Sequence, residues 1–73
     1  MEIEFGLFAA PLTEQLKGYL PKETAQGYDI IANFVISARI DGKLTDREEH
    51  KLFDYLCKEI EIDIKKNKGN KNE

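Results

Sequence analysis

The 73-residue sequence has no Trp, a single Cys, a single His and only two Pro. One Cys cannot close an internal disulfide, so a small secreted scaffold held by crosslinks is excluded. One His leaves a zinc site short of its usual nitrogen and sulfur ligands. No apolar run approaches the ~18 residues that a membrane-crossing helix needs, so no membrane association is expected. A secretory leader opens on basic residues ahead of a continuous apolar stretch. This chain opens Met1-Glu2-Ile3-Glu4, so no leader is expected and the expected compartment is the cytoplasm. Internal repeats and a Gly-rich phosphate loop are also missing.

Charge of one sign is not missing, but it is unevenly placed. Residues 1–64 carry seven Lys and Arg against thirteen Asp and Glu, a balance of −6. Residues 65–73 carry four Lys against one Glu, a balance of +3. The body is therefore acidic and the end basic. The end contains no apolar residue to join a core, so it is expected to be a disordered Lys-rich tail. Such a tail suits either solubility or contact with an acidic partner.

The remaining residues organise as helices. Pro11 opens a segment in which Leu12, Leu16, Tyr19 and Leu20 fall on one helical stripe. This predicts a helix over about 11–20. Pro21 ends it and opens a second over 22–40. There Ile31, Phe34, Val35 and Ala38 make a stripe that Ala32, Ile36 and Ile40 widen past half the circumference. A helix apolar almost all round belongs between other elements. So short a chain has too little else to cover it, and the surplus points to a second copy or a protein partner.

Asp41-Gly42 supplies a stop, because Gly readily takes the left-handed conformation that ends helices. Thr45 with Glu48 three residues later is a capping box, and it predicts a third helix over 45–64. Leu52, Phe53, Leu56, Cys57 and Ile60 form its apolar stripe. The run Ile60-Glu61-Ile62-Asp63-Ile64 also alternates as a strand does, and so does Met1-Glu2-Ile3-Glu4-Phe5. Pairing of residues 1–5 with 60–64 is the alternative. It would bring Glu2, Glu4, Glu61 and Asp63 onto one face, where like charges repel. The helical reading is preferred.

The stretch between the second and third helices resembles a degenerate EF-hand. With Gly42 at the sixth loop position, Ser37, Arg39, Asp41 and Glu48 take the first, third, fifth and twelfth, and Leu44 the apolar eighth. Arg39 then puts a cation where calcium requires an oxygen, so no calcium is expected. Ala38, Asp41, Gly42, Leu44, Thr45 and Glu48 also resemble the turn of the tellurite-resistance B-like helical domains. That resemblance covers Ile36 to Cys57 and implies two amphipathic helices joined by a tight turn. The acidic metal-binding residues proposed for that family have no clear counterparts here.

No catalytic, metal or cofactor site is expected. His50 and Cys57 lie seven apart on one helix face, but no third group is placed to orient them. Glu48 and Glu49 are helix-start residues. The basic residues of the body are scattered among carboxylates, which disfavours a DNA recognition helix.

The expected protein is all-α: a small three-helix domain over 1–64 built on a helical hairpin, with the tail at 65–73. Its expected role is a non-enzymatic protein–protein interaction module, an adaptor or regulator of a bacterium, phage or mobile element, that self-associates. The expected surface is Phe5, Leu7, Phe8, Leu12, Tyr28 and Ile36. The alternative is a nucleic-acid accessory protein acting through Lys65, Lys66, Lys68 and Lys71.

Overall fold

The computed structural model describes residues 2–71, with burial and contacts described through Asn67. The protein is all-α. Its helices are α1 (Leu12–Gln15), α2 (Lys22–Ile40) and α3 (Asp46–Lys71). Helices α2 and α3 form an antiparallel hairpin, and α1 packs on α2. The whole is elongated, 46 × 19 × 18 Å. Among the described residues there is no strand, so the alternative pairing of 1–5 with 60–64 is not formed.

Both prolines start helices. Pro11 and Pro21 each hold φ near −58° with an extended ψ of 149°. Their carbonyls accept the first helical bonds, from Glu14 N (2.9 Å), Gln15 N (3.0 Å) and Ala25 N (3.0 Å). A proline there sacrifices nothing, because N–H groups at a helix start have no intrahelical partner.

The first helix is one turn long rather than spanning 11–20. Gly18 takes φ +87°, in the left-handed region. The chain turns there, with Tyr19 N and Leu20 N both donating to Leu16 O (2.9 and 3.2 Å). The turn nonetheless delivers Leu12, Leu16 and Leu20 into one buried cluster. Tyr19, assigned to the same stripe by its spacing, is instead 45% exposed.

The core is completed by Ala25 and Ala32 of α2 and by Leu56 and Ile60 of α3, with Ile3, Phe5, Tyr28, Phe53 and Ile64 packed against it. The buried residues of α2 are Ala25, Ala32 and Val35, none of them among its largest. Alanine lets the leucines of the N-terminal half and the large residues of α3 approach the helix axis closely.

The turn between α2 and α3 is closed at both ends by local bonds. Lys43 N donates to Ala38 O (2.9 Å) and Gly42 N to Arg39 O (3.1 Å), with Gly42 at φ +77°. This is the Schellman arrangement, which satisfies carbonyls at a helix end. Then Glu48 N donates to Thr45 Oγ1 (3.1 Å), and Thr45 N donates to Glu48 Oε1 (2.8 Å). The capping box is thus formed reciprocally.

Helix α3 does not stop at Ile64. It continues through Lys71, taking up most of the stretch expected to be a tail, while residues 72 and 73 lie outside the described residues. Two contacts carry it onward. Ile64 packs on the core, and Asn67 Nδ2 donates to Tyr19 O at 3.1 Å.

The N-terminal segment lies along the helices without pairing as a strand. The Gln15 side chain takes the place of a strand partner. It accepts from Glu4 N (2.9 Å) and donates to Glu4 O (2.9 Å) and Ala10 O (2.6 Å). Phe5 stacks on Phe53 with ring centroids 4.3 Å apart.

Candidate interaction surface

The N-terminal segment and α1 cover one side of the hairpin, and the other side is open. Ile30, Ile31 and Phe34 lie on the face of α2 turned away from Ala25 and Ala32. They are 64%, 48% and 76% exposed. Across the seam, α3 presents Leu52, Tyr55 and Ile62 at 39%, 62% and 47%. A shallow groove of about 230 Å³ lined by Thr24, Gly27, Tyr28, Ile31 and Asp63 runs between the helices. Nothing lies within 4 Å of where a Cβ on Gly27 would stand, so its floor is open. Large apolar side chains gathered on one side in this way exceed the scattered singles of an ordinary surface.

Tyr28 clasps the seam. Its hydroxyl donates to an Asp63 carboxylate oxygen and reaches Glu59 O at 3.4 Å. Burial first, and then the Asp63 carboxylate, push its ionisation well above the usual tyrosine range. At the turn end, Arg39 Nη2 lies 3.5 Å from Asp46 Oδ1.

The residues expected to form the surface are divided by the structure. Leu7 and Phe8 are exposed, Phe8 completely so. Leu12 is a correction: it is core, only 2% exposed, and its N–H donates to Asp29 Oδ1 at 3.1 Å. Phe5 is half-buried against Phe53. Tyr28 is half-buried in the clasp. Ile36, also half-buried, lines a cleft of about 180 Å³ with Phe5, Leu7 and Ala10 on the N-terminal side. Phe5, Leu7 and Ile36 are therefore together on the covered side, with Phe8 next along the chain, away from the larger open face.

That open face was not singled out residue by residue from the sequence. The sequence does mark its position: Ala25 and Ala32 share one side of α2 while Ile30, Ile31 and Phe34 share the other. Small residues mark the side of close approach. Leu52, read from spacing as core, is another correction; Phe53 and Leu56 carry that side of α3.

Exposed His50 Nε2 lies 3.8 Å from Asp54 Oδ2, one turn away. Burial, and then the nearby Glu61 and Asp54 carboxylates, raise the half-buried Cys57 thiol, the direction opposite to nucleophile activation. Among the described residues no three His, Cys, Asp or Glu groups converge to hold a metal ion. Lys65 and Lys66 are exposed on α3. The backbones of Lys68 and Lys71 belong to its last turns, and their side chains lie outside the described residues.

No protein-family model, curated protein or solved structure matches this chain. Among the described residues no helix is long and apolar enough to cross a membrane.

Proposed function

We propose that this protein is a non-enzymatic protein–protein interaction module, and that it works through the open face of the α2–α3 hairpin. The observation that carries the reading is Phe34 at 76% exposure, with Ile30 and Ile31 exposed on the same helix and Tyr55 exposed on α3. Leaving such a patch in water forfeits about 25 cal/mol for each Å² that a partner would cover. The patch is aromatic at its centre, the composition enriched in interface cores. The charges nearby, Glu48 and Lys66, are exposed at its margins, as a polar rim is.

The test is a charged substitution in the patch. Ile31→Asp with Phe34→Asp adds charge only to exposed positions, so the helical circular dichroism of the fold should persist. Binding to any partner, including the protein itself, should be lost. Undiminished binding by this double variant would remove the reading.

A further inference from the structure

We infer that the open face binds a second copy of this chain, with α3 lying antiparallel on α3 and α2 on α2 about a two-fold axis level with Ala32 and Cys57. This rests on the open face being the interaction surface, and it names the occupant.

The inference comes from the order of residues along the face. On α3 the open stripe reads Glu48, Leu52, Tyr55, Glu59, Ile62 and Lys66. The steps alternate between four and three residues, the spacing that keeps a seam against a neighbouring helix. Centred on Cys57, it is self-complementary when reversed. Two positions out, Tyr55 meets Glu59 of the second copy, a hydroxyl against a carboxylate. Five positions out, Leu52 meets Ile62. Nine positions out, Glu48 meets Lys66, opposite charges at the rim. Each pair occurs twice in a two-fold dimer, as an isologous interface requires.

Helix α2 repeats the pattern. Centred on Ala32, Ile30 meets Phe34 of the second copy and Gly27 meets Ser37. Small groups thus lie opposite one another where the helices draw together. Its outermost pair, Glu23 and Asp41, is of like sign but exposed, where screening keeps the repulsion small.

The two centres lie close together along the folded chain. The Tyr28 hydroxyl reaches Glu59 and Asp63, Arg39 reaches Asp46 and Asn67 reaches Tyr19. Helices running in opposite directions then put Ala32 within about one turn of the level of Cys57. One axis can serve both helices. The stripe from Glu48 to Lys66 is about 27 Å long at 1.5 Å per residue, and the molecule is 19 Å across. Such a face is on the order of 500 Å² in projection and more in accessible area, near the roughly 800 Å² per partner of a specific interface.

The experiment combines sedimentation with crosslinking. The wild-type chain should sediment as a dimer at micromolar concentration. Lys66→Glu sets a new carboxylate against Glu48 of the second copy, twice in the dimer, and should weaken the dimer about ten-fold at low salt. Adding Glu48→Gln, which preserves the capping box, should recover most of that loss. In a Cys57→Ser background, the Leu52→Cys/Ile62→Cys chain should be joined into dimers by a short bismaleimide, and either substitution alone should not. A dimer without 52–62 crosslinking would overturn the register. A monomer at high micromolar concentration would overturn the second copy as occupant. A monomer that binds a different protein, with binding abolished by Ile31→Asp/Phe34→Asp, would overturn this inference and leave the proposed function standing.

Discussion

A few side chains carry disproportionate weight because the core is so small. Ile60 is fully buried, and Ile60→Ala leaves a cavity in a packed site, costing about 2–5 kcal/mol. A domain of this size holds roughly 3–5 kcal/mol in all. The variant is expected to be largely unfolded at 25 °C by circular dichroism. Gly42→Ala is a gentler test of the turn. Nothing within 4 Å would meet the new Cβ, so the effect is conformational, from φ +77°. A loss of about 1 kcal/mol in urea unfolding is expected.

Tyr28 and Glu48 make the stability depend on pH at opposite ends. Folding raises the Tyr28 ionisation. Its contribution is complete below the unfolded tyrosine value of about 10 and is lost as pH rises through the folded value. Folding lowers the Glu48 carboxyl, because Thr45 donates to it through the backbone N–H and the side chain is engaged as well. That contribution is present above the ordinary Glu value of about 4 and is lost as pH falls through the lowered one. Urea midpoints across pH should fall at both extremes. Tyr28→Phe should flatten the alkaline fall, and Glu48→Gln the acid one.

At the scale of elements, the hairpin and its N-terminal cover are held differently. The hairpin has caps at both sides of its turn and a tyrosine clasp further along. The N-terminal segment is held by Ile3, by Phe5 stacked on Phe53, and by one side-chain amide, Gln15, that reaches Glu4 and Ala10. Segments with few buried contacts and exposed bonds open first. Gln15→Ala should therefore raise hydrogen exchange at Glu4 and protease sensitivity across residues 4–10, while α2 and α3 keep their protection. Equal loosening throughout would show that the segment is not separately held.

Much of this was legible element by element. The stop at Gly42, the start at Thr45 and the helix starts at Pro11 and Pro21 are legible because each is satisfied by partners a few residues away. The length of α1 is not, since Gly18 and the positions of Leu16 and Leu20 together decide where the chain turns. The end of α3 is not either. Residues 65–71 have no apolar side chain to announce a helix; they follow a helix already anchored through Ile64 and tied by Asn67 to Tyr19.

At the scale of the whole molecule, α2 has α1 and α3 against it and one face, Ile30, Ile31 and Phe34, left open. A second copy on the open side would make a four-helix bundle, in which each helix has neighbours on two sides. Dimerisation links stability to concentration by mass action. The melting temperature should rise with protein concentration in the wild type and be independent of it in Ile31→Asp/Phe34→Asp.

The chain's own order of residues settles the class of fold, the hairpin and its turn, because helix periodicity and capping act within a few residues. It also shows that α2 carries more apolar surface than so few neighbours can cover. Its periodicity alone does not choose which side of α2 goes inward, since a helix apolar nearly all round has no direction of its own, and the small size of Ala25 and Ala32 counts only once large residues pack against them. That choice is made by Leu12, Leu16, Leu20, Leu56 and Ile60, whose bulk packs in one cluster with Ala25 and Ala32. Close packing among segments far apart in the chain buries Ala25, Ala32 and Val35 and leaves Ile30, Ile31 and Phe34 exposed on the chain's own surface.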